Sequence, residues 1–442
     1  MSRTSRVQQY LTGKSAITRI QAIIIITIFV TAASGAAAWY MVSPSAPTTT
    51  PAAVKKITVV SDIGGFGDMS YNDMALKGGR DAARDLGVQI VELTSRSEAD
   101  YVPKLETAAN DPDVILVVGV GVLLTNAITE VATRYPDKNF AIIDGFIPDM
   151  QNVMSILYAE HEGSAVVGAI AALTAAHYGN PHIGMVLGIE SPFLWKFEIG
   201  YKWGADWALK WYQSKFGKPA PVISSTETGY RVLWTYTGTF NEISRGYEAA
   251  KAIYAMGGGS VYNAAGPLGI GINQALQEIA NSRSLTTGPP FWIGVDSDQD
   301  WINPGFVVVS MMKRIDRAVY LATQLAVQGN FRQVVADNRG ILTLGIGTKV
   351  SGISVEGVSV STLADLDEFI EMGINAEKLT GEKVLPMSPE EIKTKVSTMR
   401  NALPSWIWDA ERELENAIRS DANLVPLATT QEVVDQWRAI LG

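Results

Sequence analysis

Short apolar or β-branched runs that end in glycine and pass into helical periodicity recur along this chain, and that alternation restricts its fold more than any other feature. The stretch from Ile57 to Gly87, ITVVSDIGGFGDMSYNDMALKGGRDAARDLG, sets the pattern. Ile57, Thr58, Val59 and Val60 make a strand bounded by Gly64, Gly65 and Gly67, and from Tyr71 the residues Met74, Ala75, Gly78 and Ala82 recur at helical spacing. Further strands are expected at Gln89–Leu93, Val114–Val118, Phe140–Ile143 and Val153–Leu157, with helices near Asn72–Leu86, Tyr101–Asn110 and Leu123–Tyr135. A second series follows, in which helices Gly163–His177, Phe197–Phe216, Ile243–Met256 and Gly269–Asn281 alternate with strands at His182–Leu187, Val232–Thr237, Ser260–Tyr262 and Phe291–Val295. Gly305–Arg314 reads as a strand entering a helix at Ile315–Gln328, and Gly340–Gly345 and Val355–Val360 as late strands. Such βαβα order calls for α/β architecture with parallel, doubly wound sheets. No sequence repeat joins the two series.

In open α/β sheets the loops at the carboxyl ends of strands face the ligand crevice, which places Asp62, Asp68, Tyr71 and Asn72 where a small molecule would be met. GGFGD lacks the G-x-G-x-x-G spacing, and its carboxylates would repel a phosphate. Carboxylates beside an aromatic ring suit hydroxyls, amines and a flat ring. Gly119–Gly121 lacks the third glycine of a dinucleotide fingerprint and reads as a tight strand-to-helix turn.

Cysteine is absent from the 442 residues, which excludes disulfides, thiolate metal sites and a lipid-modified N-terminal cysteine. The three histidines have no paired spacing, so no metal site and no cofactor are expected. A hydrolase triad is not excluded by counting, but no G-x-S-x-G elbow occurs. The net charge of −9 removes the electrostatic footprint of a nucleic-acid binder.

Arg3, Arg6, Lys14 and Arg19 precede an apolar run from Ile20 to Val42, long enough to cross a bilayer. Residues 1–42 are therefore a membrane anchor with the body of the protein outside the cytoplasm, or a signal segment cleaved near SGAAAW. Residues 43–55, rich in Pro, Thr and Ser, read as a linker. At the other end, residues 386–442 form an extension with helices at Pro389–Asn401 and Trp406–Arg419. Its Trp406, Ile407, Trp408 and Trp437 either pack on a lobe or present a docking face.

Six blocks in order, GGFGDMSYN, IIDGF, GTFNEISRG, YNAAGPLGIG, IGVDSDQ and VVSMMKRID, resemble the basic membrane protein family of substrate-binding proteins, whose members include purine nucleoside receptors of ABC transporters. The resemblance spans Lys56 to Val360. It implies a type I periplasmic-binding-protein fold, two doubly wound parallel-sheet lobes joined by three crossovers around a cleft. The expected boundaries are residues 56–152 and 300–335 for the first lobe, and 153–299 and 336–385 for the second. Carried over block by block, Asp62, Tyr71, Asn72 and Asp144 would line the cleft from the first lobe, Phe240, Gly266 and Asp296 from the other side, and Lys313 would reach in from the returning segment. Tyr71, where the family usually has Phe, and Phe240 would stack on a purine, and Asp296 and Lys313 would read the ribose. The implied function is capture of a nucleoside outside the cytoplasm and delivery to ABC permease and ATPase subunits, with no catalysis. A nucleoside-acting enzyme and a ligand-sensing receptor are the alternatives. The glycine-rich block departs from the family with Pro267 and Leu268 where a Gly-Thr pair is common, and the C-terminus is longer.

Overall fold

The computed structural model describes residues 54–220 and 231–442, so the anchor or signal segment and nearly all of the linker expected from the sequence lie outside the described residues. No described helix is long and apolar enough to cross a membrane. In chain order the first series is β1 (Lys56–Val60), α1 (Tyr71–Leu86), β2 (Gln89–Leu93), α2 (Tyr101–Asn110), β3 (Val114–Val120), α3 (Thr125–Arg134), β4 (Phe140–Ile143) and β5 (Val153–Tyr158). The second is α4 (Glu160–Tyr178), β6 (His182–Leu187), α5 (Pro192–Phe216), β7 (Arg231–Tyr236), α6 (Ile243–Ala255), β8 (Gly258–Ala264), α7 (Gly269–Ser282), β9 (Phe291–Asp296) and β10 (Val307–Lys313). Then come α8 (Ile315–Gln328), α9 (Phe331–Asp337), β11 (Ile341–Leu344), the small hairpin β12 (Lys349–Val350) and β13 (Ile353–Ser354), β14 (Val358–Val360), α10 (Leu366–Thr380), α11 (Pro389–Ala402), α12 (Ser405–Ser420) and α13 (Gln431–Leu441).

Two 6-stranded sheets result, one in the order β11-β5-β4-β3-β1-β2 and the other β14-β10-β9-β8-β6-β7. Every pairing in the first is parallel, and in the second only β14 runs antiparallel, against β10. Strands such as β4 and β10 are buried at every residue, as expected where helices cover both faces of a parallel sheet and the strand becomes a continuous apolar run.

The sheets divide the chain differently from the boundaries expected from sequence. Val153–Tyr158 stays in the first sheet beside β4, Val307–Lys313 joins the second beside β9, and Ile341–Leu344 returns to the first beside β5. The crossovers therefore fall at Ala159, at Arg314 and across residues 345–357. Periodicity reveals a strand but not which sheet will pair it, and these strands lie at or next to a sheet edge where either partner would satisfy the pattern.

Helices α4 and α5 meet at backbone contact. A Cβ on Gly204 would lie 1.9 Å from the carbonyl oxygen of Ala165, so only glycine permits that approach. This rigid pair carries Glu160 at the start of one helix and Phe193 and Lys196 in the opening turns of the other.

The C-terminal extension packs on the second lobe. Arg400 of α11 is buried, donating to the carbonyl of Val308 (3.0 Å) and the hydroxyl of Ser361 (2.8 Å) and pairing with Asp300. Trp406 of α12 stands edge-on to Tyr212, and Ile407 is fully buried. The sequence reading omitted α9, α10 and α13 and began α5 five residues late, although Ser191 caps α5 through the amide of Leu194 and Pro192 occupies its first turn.

Candidate functional site

The floor of the cleft is built from the carboxyl ends of the strands on both sheets. Asp144 directly follows β4 and Asp296 ends β9, the corresponding strand of the other sheet, and both adopt left-handed backbone angles, φ 61° and 66°. Aspartate tolerates that region better than most residues, and strained positions of this kind concentrate at functional sites. Lys313, at the end of β10 and immediately before the second crossover, is 1% exposed and joins the lobes. Its ammonium lies 2.6 Å from Asp144 Oδ2 and 2.9 Å from Glu160 Oε1, and Glu160 also pairs with Lys196. Three aromatic rings surround it, with centroids 4.3 Å away for Phe193, 4.9 Å for Tyr158 and 5.6 Å for Tyr71. Each face offers the cation a favourable quadrupole.

Burial opposes the charge on Lys313, but Asp144, Glu160 and Asp296 outweigh it and hold the ammonium's pKa above its ordinary value. Burial would likewise raise Glu160, yet Lys196 and Lys313 bring it below the usual range. Asp144 stays above the usual carboxylate value because burial exceeds the help from Lys313. Asp296 is pushed up to about 6 by burial, with Lys313 opposing. Acids outnumber bases here, so the site disfavours an anionic ligand.

Tyr71 opens α1 and donates its hydroxyl to Asp144 Oδ2 at 2.7 Å. That oxygen thus receives both Tyr71 and Lys313, whereas Asp144 Oδ1 is buried without a hydrogen-bond partner in the protein. Ser70, the residue before the helix, turns its hydroxyl toward Asp296 Oδ2 (3.2 Å), and Ser297 donates to the carbonyl of Met69 (2.8 Å), tying the first loop to the second lobe.

Asp62 and Asn72 hold each other. Asn72 Nδ2 donates to Asp62 Oδ1 at 2.9 Å, and the Asp62 amide donates back to Asn72 Oδ1 at 3.2 Å. Gly121, with φ 105°, makes room for this pair, since a Cβ there would lie 3.1 Å from Asp62 Oδ2. Asp68 is spent on the start of α1, accepting from the amides of Ser70, Asn72 and Asp73, so it serves as a cap.

The remaining expected residues stand on the second lobe. Phe240 follows β7, is 38% exposed, and lies so close to Gly188 that a Cβ there would come within 2.1 Å of the ring. Gly266 follows β8 with φ 50° and open space where a side chain would point. Among the described residues no ring contact or hydrogen bond joins Phe240 or Gly266 to the charged floor. The structure thus brings Tyr71, Asp144 and Lys313 together, links Asp296 through Ser70, and sets Asp62 with Asn72 beside them. The sequence reading missed Ser70, Tyr158, Glu160, Phe193 and Lys196. The Ser-Pro start of α5 was the available signal for two of them.

A separate cavity of about 290 Å³ lies between α1 and α10, lined by Lys77, Arg80, Asp81 and Glu368 among others. Lys77 is already paired there with Asp81 (2.7 Å), Asp316 (3.3 Å) and Glu368 (2.5 Å).

A family model described as ABC transporter substrate-binding protein PnrA-like matches residues 55–209 and 223–372. The chain belongs to this Bmp family. Its Bmp relatives include an uncharacterized lipoprotein of Pyrococcus abyssi, 34% identical over 391 residues and covering 88% of each protein. The ABC transporter nucleoside-binding protein BmpA of Lactococcus lactis is 28% identical over 278 residues, covering 60% of this chain and 72% of that one. A solved ABC transporter solute-binding protein of Aeropyrum pernix superposes with a TM-score of 0.70 at 30% identity, covering 88% of this chain and 97% of the other. The two sheets and three crossovers are therefore a type I periplasmic-binding-protein fold, and the chain is a substrate-binding protein of an ABC transporter. The match to the Bmp family ends before α11, leaving the last three helices outside it.

Proposed function

We propose that the cleft captures a purine nucleoside outside the cytoplasm, without altering it, and presents it to an ABC permease. One observation carries the reading: Asp144 Oδ1 is a buried, unpartnered acceptor beside the ring of Tyr71, at a floor shared by both lobes. A buried acceptor without a donor costs about 1–3 kcal/mol, which a ring N–H from a bound base would recover. Tyr71 and Phe240 are the aromatic faces for the base. Asp296 and Lys313 offer an acceptor and donors to vicinal hydroxyls. The excess of acids disfavours a phosphorylated ligand, and the Lactococcus relative's name points to the same ligand class. Asp62 and Asn72, already locked together, supply the rest of the first-lobe wall.

A thermal-shift screen of the full-length chain against nucleosides, nucleotides, free bases and sugars tests this. A purine nucleoside at 100 times its Kd should stabilise the protein by about 2.7 kcal/mol. Stabilisation by sugars alone, or equally by nucleoside and nucleotide, would contradict it.

The position of Asp296 gives a pH dependence. Its folded pKa, about 6, stands above the unfolded value of 3.8, so between those values the folded protein holds the extra proton and this residue's effect favours folding at lower pH. Ribose hydroxyls donate to the ionised form, so binding should run the opposite way. Nucleoside Kd measured by calorimetry should rise about tenfold per pH unit below about 6, and Asp296→Asn should abolish that slope. A flat profile in the wild-type protein between pH 5 and 7 would remove Asp296 from ribose recognition.

A further inference from the structure

The C-terminal helix α13 sets one arginine into a socket on the second lobe. Arg438 Nε and Nη2 donate to the two oxygens of Glu198 at 2.9 and 2.7 Å, and Nη2 also donates to Glu190 Oε1 at 2.8 Å. The guanidinium stacks 4.7 Å from the centroid of Trp234 and stands 5.9 Å from that of Tyr236. Trp195 donates from Nε1 to the same Glu190 oxygen at 3.1 Å, while Glu198 is completed by Lys202 (2.9 Å) and the hydroxyl of Tyr236 (2.9 Å). Around the polar contacts, Val434 and Leu441 of α13 pack with Trp195 and Ile199 of α5. Bidentate pairing of a planar fork with stacking on an indole is a fixed geometry that lysine could not reproduce.

What this socket grips is the far side of the cleft wall. Glu190 lies two residues beyond Gly188, whose bare backbone supports the Phe240 ring. The end of β7 is tied to the same loop through the amides of Thr237, bonded to Leu187 (2.9 Å), and Gly238, bonded to Gly188 (3.0 Å). Three residues further on from Glu190 comes Phe193 over the Lys313 ammonium, and then Lys196 paired with Glu160. Arg438 therefore touches, through one guanidinium, the β6–α5 loop, the opening of α5 and the end of β7, the three segments that present Phe240, Phe193 and Lys196.

We infer that Arg438 is a positioning residue for ligand binding, and that α13 is a brace which fixes the second-lobe wall of the cleft. The inference rests on the cleft being the ligand site, not on which nucleoside fills it. The linkage is contiguous and rigid: guanidinium to Glu190, Glu190 to Trp195, and the helix start between them.

Two variants of the full-length chain test it. Glu190→Ala cuts the link by removing the oxygen that accepts from both Arg438 and Trp195, at a side chain that is half-exposed, at 45%. Arg438→Met removes the brace itself while Glu198 keeps Lys202 and Tyr236. The expected result is an unchanged denaturation midpoint for Glu190→Ala, faster amide exchange confined to residues 188–198 and 234–240 in both variants, and guanosine affinity weaker by about three- to tenfold through a faster dissociation rate. A merely structural role would lower the midpoint and leave guanosine affinity and local exchange unchanged, and that outcome overturns the proposal. If the wild-type protein binds no nucleoside, the nucleoside reading falls while amide exchange still decides the brace: faster exchange in those two segments supports it, and wild-type exchange refutes it.

Discussion

Lys313→Met should lower the unfolding free energy by about 3–5 kcal/mol, because it removes the central cation from a buried cluster and leaves its carboxylates uncompensated. Lys313 is 1% exposed, Asp144 6% and Glu160 0%, so water cannot replace the lost partner. Glu160 retains Lys196. Asp144 retains only the hydroxyl of Tyr71, and is therefore the group that suffers most. Denaturant titration would measure the loss, and adding Asp144→Asn to Lys313→Met should recover part of it by removing the orphaned charge. A loss below about 1 kcal/mol for the single variant would mean that the cluster is hydrated and behaves as a surface pair. The sign with pH is also fixed. A lysine whose folded pKa is raised contributes fully below its unfolded value and loses that contribution only as pH rises through the folded one, so the effect of Lys313 is complete at neutral pH.

Lys313 and Glu160 also show what the sequence could and could not reveal. The motif carrying Lys313 was legible because a basic residue at the end of a continuous apolar strand is rare, and the resemblance to the Bmp family gave it a role. Its partner was less accessible. Lys313 pairs with Asp144 and Glu160 while Arg314 takes Asp316 at 2.7 Å, so a reading that pairs Lys313 with its near neighbour Asp316 chooses the wrong cation. Glu160 was invisible because it depends on which sheet claims Val153–Tyr158. Once that strand joins the first sheet, residue 159 becomes a crossover and Glu160 the first residue of a helix on the other lobe. The same logic puts Lys313 one residue before the second crossover. The charged floor of the cleft thus lies at two of the three crossovers between the lobes. Periodicity shows the strands that flank the third crossover, Gly340–Gly345 and Val355–Val360, but not the hairpin of β12 and β13 between them, whose 2-residue strands are too short to give a pattern. Helix α13 escaped although, at 11 residues, it is longer than α2, and although Thr430 announces it with a hydroxyl that accepts from the amide of Val433.

Phe240→Ala should weaken purine nucleoside binding by about 1–3 kcal/mol, the range for loss of one base-stacking aromatic, which is about 5- to 150-fold in Kd. Its effect on stability should be small, because the ring is 38% exposed and fills no core, unlike the buried phenylalanines of the sheets, whose truncation costs about 3–5 kcal/mol. Separation of these two readouts is what marks a contact surface. The mechanism makes a second, independent demand. The ring rests against the backbone of Gly188, where an added Cβ would come within 2.1 Å of a ring carbon, so Gly188→Ala must push Phe240 out of place. That variant should lose affinity in the same direction although it removes no ligand contact. Tyr71→Phe, which keeps its ring and loses only the hydroxyl on Asp144, should leave stacking intact and change affinity less than Phe240→Ala does. Calorimetric titration of the three variants with guanosine and adenosine would decide the matter. Wild-type affinity in Phe240→Ala would show that the exposed ring is not a base platform, leaving the first-lobe aromatic and the carboxylates to hold the base, and wild-type affinity in Gly188→Ala alone would show that the ring can shift without consequence.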